Sequence, residues 1–197
     1  MKVCVYGASS ERIDEKYKNA GFDLGKKMGE KGYTLVFGAG AEGMMGAVAR
    51  GFHAGGGKVH GYIPKFFEEG GYEAIYYDCD ELNFTKTMAE RKAGMENECE
   101  AFIIAPGGIG TFEEFFQVFT LKQLGRHDKA IVLFNSYGYY DDMRVLIEDA
   151  IKSNFVNKEC AHLIKYCDTA EEIMEYLESY TPSDIAWSRL KRIRDDG

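Results

Sequence analysis

The sequence has little clustered positive charge. It contains 24 Lys and Arg against 32 Asp and Glu, which gives a net charge of −8. Binding to nucleic-acid phosphates needs a patch or stripe of Lys and Arg, so this composition argues against a nucleic-acid partner. The one basic run, RLKRIR at Arg189–Arg194, is interpreted as a solvated helix end.

The sequence also lacks the spacings that are typical of metal sites and disulfides. Its five cysteines form no C-x-x-C pair, and its four histidines show no H-x-x-x-H spacing. An odd number of scattered thiols is typical of reduced cytosolic proteins rather than of a disulfide framework. We therefore expect no bound metal and no secreted disulfide scaffold.

Long hydrophobic runs are missing as well. No apolar stretch reaches the length of a membrane span, and the chain begins at once with the strand-like segment KVCVYG. We expect no signal peptide, no membrane partner and a cytoplasmic location.

Short apolar segments alternate with amphipathic ones throughout the 197 residues, which indicates an α/β fold. The predicted strands are KVCVYG, YTLVFG, KVHGYIP, EAIYYDC, AFIIA, KAIVLFN and HLIKYC. Strands that are apolar on both faces imply a parallel sheet that is covered on both sides. We predict a single domain, residues 1–197, with a Rossmann-like open parallel sheet and helices on both faces.

Three predicted strands end in loops of glycine and other small residues: YGASS, FGAGAEG and APGGIGT. In open α/β sheets ligands bind beyond the carboxyl ends of the strands, where glycine lets backbone N–H groups approach an anion. This pattern favours a nucleotide or phosphate site. GAGAEG matches G-x-G-x-x-G, but it follows the second strand and lacks the acidic residue of a dinucleotide site, so a nicotinamide or flavin site is disfavoured.

The segment PGGIGTFEE places several small residues between a strand and a helix: Pro106, Gly107, Gly108 and Gly110. Thr111 is predicted to be the N-cap of that helix, where the helix dipole favours an anion. Thr111 and Glu114 also match an S/T-x-x-E capping box, which would explain Glu114 without any function. A capping box does not explain the glycines.

The preceding segment NFTKTMAERKAGMENE is predicted to be helical, with Asn83 as its N-cap. Phe84, Met88, Arg91 and Met95 share its apolar face, so Arg91 is expected to point at the sheet. A buried guanidinium needs a partner. Arg91 either forms a structural ion pair or lies close to Glu114 and the predicted anion site.

The motifs MAERK (Met88–Lys92) and PGGIGTFEE (Pro106–Glu114) together resemble those of the LOG family, the cytokinin riboside 5′-monophosphate phosphoribohydrolases that were formerly mistaken for lysine decarboxylases. The likeness runs nearly end to end, through VYGASS, LVFGAGAEGMMGAVA and HLIKYCDTAEEIMEYL. Two departures, Ala39 in place of a glycine and Ala89 in place of a frequent histidine, bear on substrate preference. No lysine lies in a recognisable pyridoxal phosphate motif, so we expect no cofactor.

This resemblance implies hydrolysis of the N-glycosidic bond of a nucleoside 5′-monophosphate, of adenosine or a cytokinin riboside, to free base and ribose 5-phosphate. It implies Glu114 as the catalytic carboxylate and Arg91 as the residue that orients Glu114 and the ribose. Further substrate contacts are expected from eleven residues: Gly7, Ser9, Gly38, Gly40, Met88, Lys92, Pro106, Gly107, Gly108, Gly110 and Thr111. A non-catalytic nucleotide-binding or sensor protein is the alternative, although it would not need Arg91 and Glu114 together.

The helix after Thr111 predicts a homodimer, which the resemblance also implies. Its apolar residues leave a thin polar stripe: they are Phe112, Phe115, Phe116, Val118, Phe119, Leu121 and Leu124. An apolar surface this wide needs more cover than one face of a sheet provides. The alternative is that the helix is buried within its own monomer.

Overall fold

The computed structural model describes residues 1–182 except Tyr72, and the basic run at Arg189–Arg194 lies outside these residues. Within the described residues one parallel sheet has the strand order β4-β3-β2-β1-β5-β6-β7. The strands are β1 (Lys2–Tyr6), β2 (Thr34–Phe37), β3 (Lys58–Pro64), β4 (Glu81–Thr85), β5 (Ala101–Ile104), β6 (Ala130–Phe134) and β7 (Lys165–Cys167). The predicted α/β fold with an open parallel sheet is confirmed, whereas the assignment of residues 1–197 to one domain stays a prediction.

Helices cover both faces of the sheet, as predicted. The helices are α1 (Glu15–Glu30), α2 (Gly43–Ala54), α3 (Lys65–Gly70), α4 (Met88–Glu98), α5 (Ile109–Gln123), α6 (Asp141–Lys152) and α7 (Ala170–Ser179). Buried side chains of α1, α2 and α7 form one hydrophobic core with the sheet, and those of α4, α5 and α6 form a second core on the opposite face. In the described residues every helix is too short or too polar to cross a bilayer.

Helices α1 and α2 pack with their backbones in close contact because glycines line the crossing. A Cβ at Gly25 would lie 2.3 Å from the Val48 carbonyl oxygen, and one at Gly55 would lie 2.2 Å from the carbonyl oxygen of Lys26. A side chain at either position would therefore force the helices apart. This packing fixes the position of α2, which follows directly after the glycine loop at the end of β2.

The fourth strand lies later in the chain than predicted. EAIYYDC is not a strand of the sheet, and β4 is formed by Glu81–Thr85. The predicted helix start at Asn83 is therefore wrong, because Asn83 pairs with Tyr62 within the sheet. Helix α4 begins at Met88 and is capped by Thr87, whose side chain accepts a hydrogen bond from the Glu90 amide. Phe84 belongs to β4 and does not share a helix face with Arg91.

Candidate active site

The loops after β1 and β5 meet at the carboxyl edge of the sheet, because β1 and β5 are neighbours and the strand order reverses between them. The Ala8 amide donates a hydrogen bond to the Pro106 carbonyl at 3.1 Å and holds the two loops together. A cavity of about 280 Å³ opens here. Seven of the predicted site residues line it: Gly7, Ser9, Arg91, Gly108, Gly110, Thr111 and Glu114.

Arg91 is buried, with 6% of its surface exposed, as its helical position predicts. Its Nε donates to the Tyr62 carbonyl at 3.2 Å, and its Nη2 donates to the Gly38 carbonyl at 3.2 Å. A Cβ at Gly38 would lie 1.7 Å from that Nη2 atom, so a side chain there cannot coexist with the arginine. The glycine loop after β2 therefore holds Arg91, and Gly38 contacts the arginine rather than the cavity.

Glu114 is the acidic partner of Arg91. Its Oε1 atom lies 3.6 Å from Arg91 Nη1, and its side chain is 12% exposed. Burial raises the pKa of Glu114 to about 7, although the nearby Arg91 charge lowers it and Glu113 raises it further. Loss of hydration disfavours the carboxylate more than the single cation favours it. A carboxyl group with this pKa can gain or lose a proton near neutral pH.

The capping-box interpretation of Glu114 is wrong. Helix α5 begins at Ile109 with Gly108 as its N-cap, so Thr111 is the third residue of the helix and not its cap. Glu114 lies in the second turn, beyond reach of the orphan amides that a capping box satisfies. The amides of the first turn, by contrast, have no acceptor within the helix and face the ligand edge of the sheet.

The glycines of this loop divide into two kinds. A Cβ at Gly107 would lie 2.1 Å from Thr111 Oγ1, so Gly107 is required by packing against the buried Thr111. A Cβ at Gly108 or Gly110 would meet nothing within 4 Å. The protein's own packing does not require glycine at these two positions, and both line the cavity. Close approach of a ligand to the backbone is a physical reason for them.

The other predicted site residues do not line the cavity. Lys92 pairs with Glu113 and Gln117 of α5. Met88 is 37% exposed in the first turn of α4. Pro106 is buried and contributes its carbonyl to the contact with Ala8.

Sequence reasoning missed one acidic residue of the cavity, Glu73. It lies in the segment that was predicted to be a strand and that instead packs against the loop after β2. No motif or periodicity indicates it, because its position depends on contacts between segments far apart in the sequence. Ala8, Ser10 and Met45 also line the cavity and were not predicted.

One acidic and histidine cluster lies outside the cavity. Potential ligand atoms of His60, Glu81 and Glu98 lie within 4.8 Å of one another in the described part of the chain. Glu98 Oε1 already contacts Lys2 Nζ at 2.7 Å and His60 Nδ1 at 2.6 Å. Because Glu98 is already paired with a lysine and a histidine, the cluster is an ion-pair network, which does not favour a metal.

Comparison with known proteins identifies the family. A family model described as "Possible lysine decarboxylase" matches residues 45–177. The cytokinin riboside 5′-monophosphate phosphoribohydrolase LOG of Oryza sativa subsp. japonica is 38% identical over 181 residues, which are 92% of this chain and 74% of that protein. LOG3 of Arabidopsis thaliana, of the same named activity, is 36% identical over 92% of this chain and 83% of that protein. The chain belongs to the LOG family.

Solved structures share the fold of this LOG-family chain. The molybdenum cofactor carrier protein of Chlamydomonas reinhardtii superposes with a TM-score of 0.67 at 18% identity, over 90% of this chain and 95% of that one. The molybdenum cofactor binding protein of Rippkaea orientalis gives 0.64 at 15% identity, over 90% and 94%. At these identities the likeness concerns the fold alone.

Proposed function

We propose that the protein hydrolyses the N-glycosidic bond of a purine nucleoside 5′-monophosphate and releases the free base and ribose 5-phosphate. The observation that carries this proposal is one cavity that contains both a helix N-terminus suited to phosphate and a buried carboxyl group whose pKa is about 7. Neither feature alone distinguishes an enzyme from a binding protein.

The 5′-phosphate binds at the start of α5. Backbone amides of the first helical turn and the helix dipole favour the phosphate dianion, and Gly108 and Gly110 leave room for it. The phosphate thereby fixes the ribose beside Glu114, which lies one turn further along the same helix. Binding energy from the phosphate orients the reacting sugar carbon, so positioning contributes to catalysis.

Glu114 acts on the reacting carbon. As the bond between the sugar C1′ and the base nitrogen breaks, its electron pair leaves with the base and positive charge develops on the sugar. The carboxylate of Glu114 stabilises that charge and accepts a proton from the attacking water, whose oxygen bonds to C1′. Glu114 then transfers this proton to the base nitrogen that was bonded to C1′.

Arg91 positions Glu114 and the sugar. Two backbone carbonyls hold its guanidinium, and neither neutralises its charge. The cation therefore remains available to keep part of Glu114 ionised at neutral pH and to bind substrate oxygens.

The names of the relatives support the substrate class. Those of rice and Arabidopsis carry the name of an activity on cytokinin riboside 5′-monophosphates. For this chain we propose adenosine 5′-monophosphate and its N6-isopentenyl derivative as the substrates to test, because Ala39 and Ala89 depart from the family motifs.

The test is release of base and ribose 5-phosphate from a panel of nucleoside 5′-monophosphates, with and without N6-isopentenyl substitution. Glu114→Gln is expected to lower turnover roughly 100-fold or more, since the amide neither accepts a proton nor offsets a cationic sugar. The matched control is Glu172→Gln, which changes a glutamate that does act in a capping box, at the start of α7.

The outcomes separate enzyme from binding protein. Nucleotide binding without base release from any member of the panel would support the non-catalytic alternative. If Glu114→Gln and Glu172→Gln both retain the turnover of the wild type, the assignment of Glu114 as the catalytic carboxylate is wrong.

A further inference from the structure

The loop between β5 and α5 is held through three successive carbonyl groups. The Tyr140 hydroxyl donates to the Ala105 carbonyl at 2.7 Å, and the Tyr139 hydroxyl donates to the Gly107 carbonyl at 2.5 Å. The Pro106 carbonyl between them accepts from an amide of the loop after β1. Hydrogen bonds from neighbouring segments therefore fix the orientation of each of these peptide groups.

The bond from Tyr139 sets the direction of an amide at the cavity. No peptide bond in the described residues is cis, so each carbonyl points away from the N–H of the residue that follows it. With the Gly107 carbonyl turned toward Tyr139, the Gly108 N–H points the opposite way. Gly108 lines the cavity, and its N–H has no acceptor within the described part of the chain. An amide that is both aimed and unpaired is a donor for an anion at the start of α5.

The neighbouring bond from Tyr140 aims no donor at the cavity. The carbonyl that it holds belongs to the peptide group between Ala105 and Pro106, and proline has no N–H. Its hydroxyl instead satisfies a carbonyl in the interior, because Tyr140 and Ala105 are both buried. Two adjacent tyrosines thus make the same kind of bond, and only the bond from Tyr139 directs an amide.

The turn that joins β6 to α6 holds Tyr139 in place. The buried Asn135 side chain in this turn accepts a hydrogen bond from the Tyr140 amide at 2.7 Å. The ring of Tyr139 meets the rings of Tyr17 and Tyr140 edge to face, with ring centroids 5.6 Å and 5.0 Å away. Burial raises the pKa of Tyr139, so its hydroxyl is protonated at neutral pH and can donate.

We propose that Tyr139 is a positioning residue for the substrate phosphate: its hydroxyl holds the Gly107 carbonyl so that the Gly108 amide points at the phosphate oxygens. This inference rests on the proposed function, because it takes the phosphate of a nucleoside 5′-monophosphate to bind at the start of α5. Hydrogen bonds from amides to an anion are stronger than those between neutral groups, so their direction affects affinity. Without the hydroxyl, water can bind the Gly107 carbonyl, because Tyr139 is partly exposed, and the peptide group can then rotate.

The experiment compares Tyr139→Phe with Tyr140→Phe, each of which removes one hydroxyl and keeps the ring. Tyr139→Phe is expected to raise KM for AMP about tenfold, the scale of one hydrogen bond to a charged group, and to change kcat by less than about threefold. Its Tm is expected to stay within about 2 °C of the wild type, since water replaces the lost donor. Tyr140→Phe is expected to keep the wild-type KM and to lower Tm by about 3–10 °C, because it leaves a buried carbonyl unpaired.

Calorimetry in the Glu114→Gln background measures binding of AMP and ribose 5-phosphate without turnover, and it separates this inference from the proposed function. Tyr139→Phe is expected to weaken both ligands by the same factor of about ten, because both carry the phosphate. If the wild type cleaves no nucleotide but these losses are found, the role of Tyr139 stands and the hydrolase proposal fails.

Several results would overturn the role of Tyr139. One is an unchanged affinity for AMP in Tyr139→Phe, and another is a loss for AMP that ribose 5-phosphate does not share, which would assign the tyrosine to the base. An equal loss of affinity in Tyr140→Phe, or a Tyr139→Phe variant that fails to fold, would show that the hydroxyl supports the loop as a whole. Absence of AMP binding to the wild type would overturn both proposals.

Discussion

The ionic state of the cavity depends mainly on one buried pair. Arg91 donates to carbonyl oxygens, which orient its guanidinium but leave its charge uncompensated. Glu114 is the carboxylate within ion-pair distance, yet its own burial raises its pKa to about 7. A buried pair of this kind is weak support for stability, since desolvation offsets the attraction. We interpret it as a functional arrangement that the fold sustains at a cost.

Because burial of Glu114 has this cost, we predict a pH-dependent difference in folding stability between the wild type and Glu114→Gln. The pKa of Glu114 rises from 4.5 to about 7 on folding, so between these values the native state binds more protons than the unfolded state. Stability contributed by this group is therefore lost as pH rises through that window, by about 3 kcal/mol when complete. Glutamine does not titrate, so Glu114→Gln is expected to gain stability relative to the wild type between pH 4.5 and pH 8.

Denaturant unfolding at pH 4.5 and pH 8 measures this difference. Glu113→Gln is the matched control on the same helix, and its side chain is 55% exposed. Solvent screens such a group, so its variant is expected to show a much smaller change with pH. A Glu114→Gln variant that follows the wild type at both pH values would show that the carboxyl group is not desolvated.

At the scale of helix ends, the pattern T-x-x-E forms a capping box in some helices and not in another. The chain contains three T-x-x-E segments at helix starts: Thr87–Glu90, Thr111–Glu114 and Thr169–Glu172. The first and third are capping boxes, in which the glutamate also accepts from the amide before the cap. The second is not, because α5 begins two residues before Thr111. The T-x-x-E pattern alone does not separate these cases, because the position of the helix start decides whether the threonine is the cap.

The parts of the fold that were predicted are those that local sequence determines. Apolar strands such as β3, which spans Lys58–Pro64 as predicted, are evident from local composition because both faces are buried. Arg91 was correctly placed on a buried helix face by its spacing from Met95. Glu73 was not found, because a bridge between Gly40 and Ile75 holds its segment and periodicity carries no information about such contacts.

We predict opposite effects on stability for alanine substitutions of two glycines at the start of α5. Gly110→Ala is expected to leave stability unchanged or raise it by up to about 1 kcal/mol, because alanine favours a helix and its Cβ has space. Its KM for AMP is expected to rise about tenfold or more, since the methyl group occupies the phosphate site. Gly107→Ala is expected to lower stability by about 1–3 kcal/mol through its contact with Thr111.

Thermal unfolding and steady-state kinetics of the two variants test whether Gly110 makes room for phosphate and whether Gly107 is required by packing. A destabilised Gly110→Ala, or one with an unchanged KM, would contradict phosphate binding at the start of α5. A stable Gly107→Ala would show that Thr111 can move aside.

At the scale of the whole molecule, the face formed by α4, α5 and α6 carries several exposed apolar side chains. Phe115, Val118 and Phe119 of α5 are buried in the monomer, so the helix is partly covered by its own chain. Phe116 and Leu124 remain 39% and 38% exposed. Large exposed side chains also lie elsewhere on the face formed by α4, α5 and α6: Met88, Ile109, Val145, Leu146 and Phe155. Exposed apolar side chains occur on other surfaces too, such as Phe22 of α1, but a group of them on one face is typical of an interface.

We propose that this face joins two copies of the chain, as the apolar α5 sequence predicts. Ile109 is 83% exposed and adjoins Gly108 and Gly110, so such an interface would reach the rim of the cavity. Light scattering after size exclusion, at micromolar concentration, is expected to give twice the 22.2 kDa mass of one chain. A particle of one chain mass would contradict the homodimer.

The variant Phe116→Glu tests the predicted interface directly. A charge in the centre of an apolar contact must be desolvated without a partner, so the variant is expected to be monomeric at concentrations where the wild type is a dimer. Phe22→Glu is the matched control, because Phe22 is equally exposed at 39% but lies on α1, on the opposite face of the sheet. It is expected to remain dimeric. Two variants that both stay dimeric, or a dimer broken by Phe22→Glu alone, would place the interface away from α5.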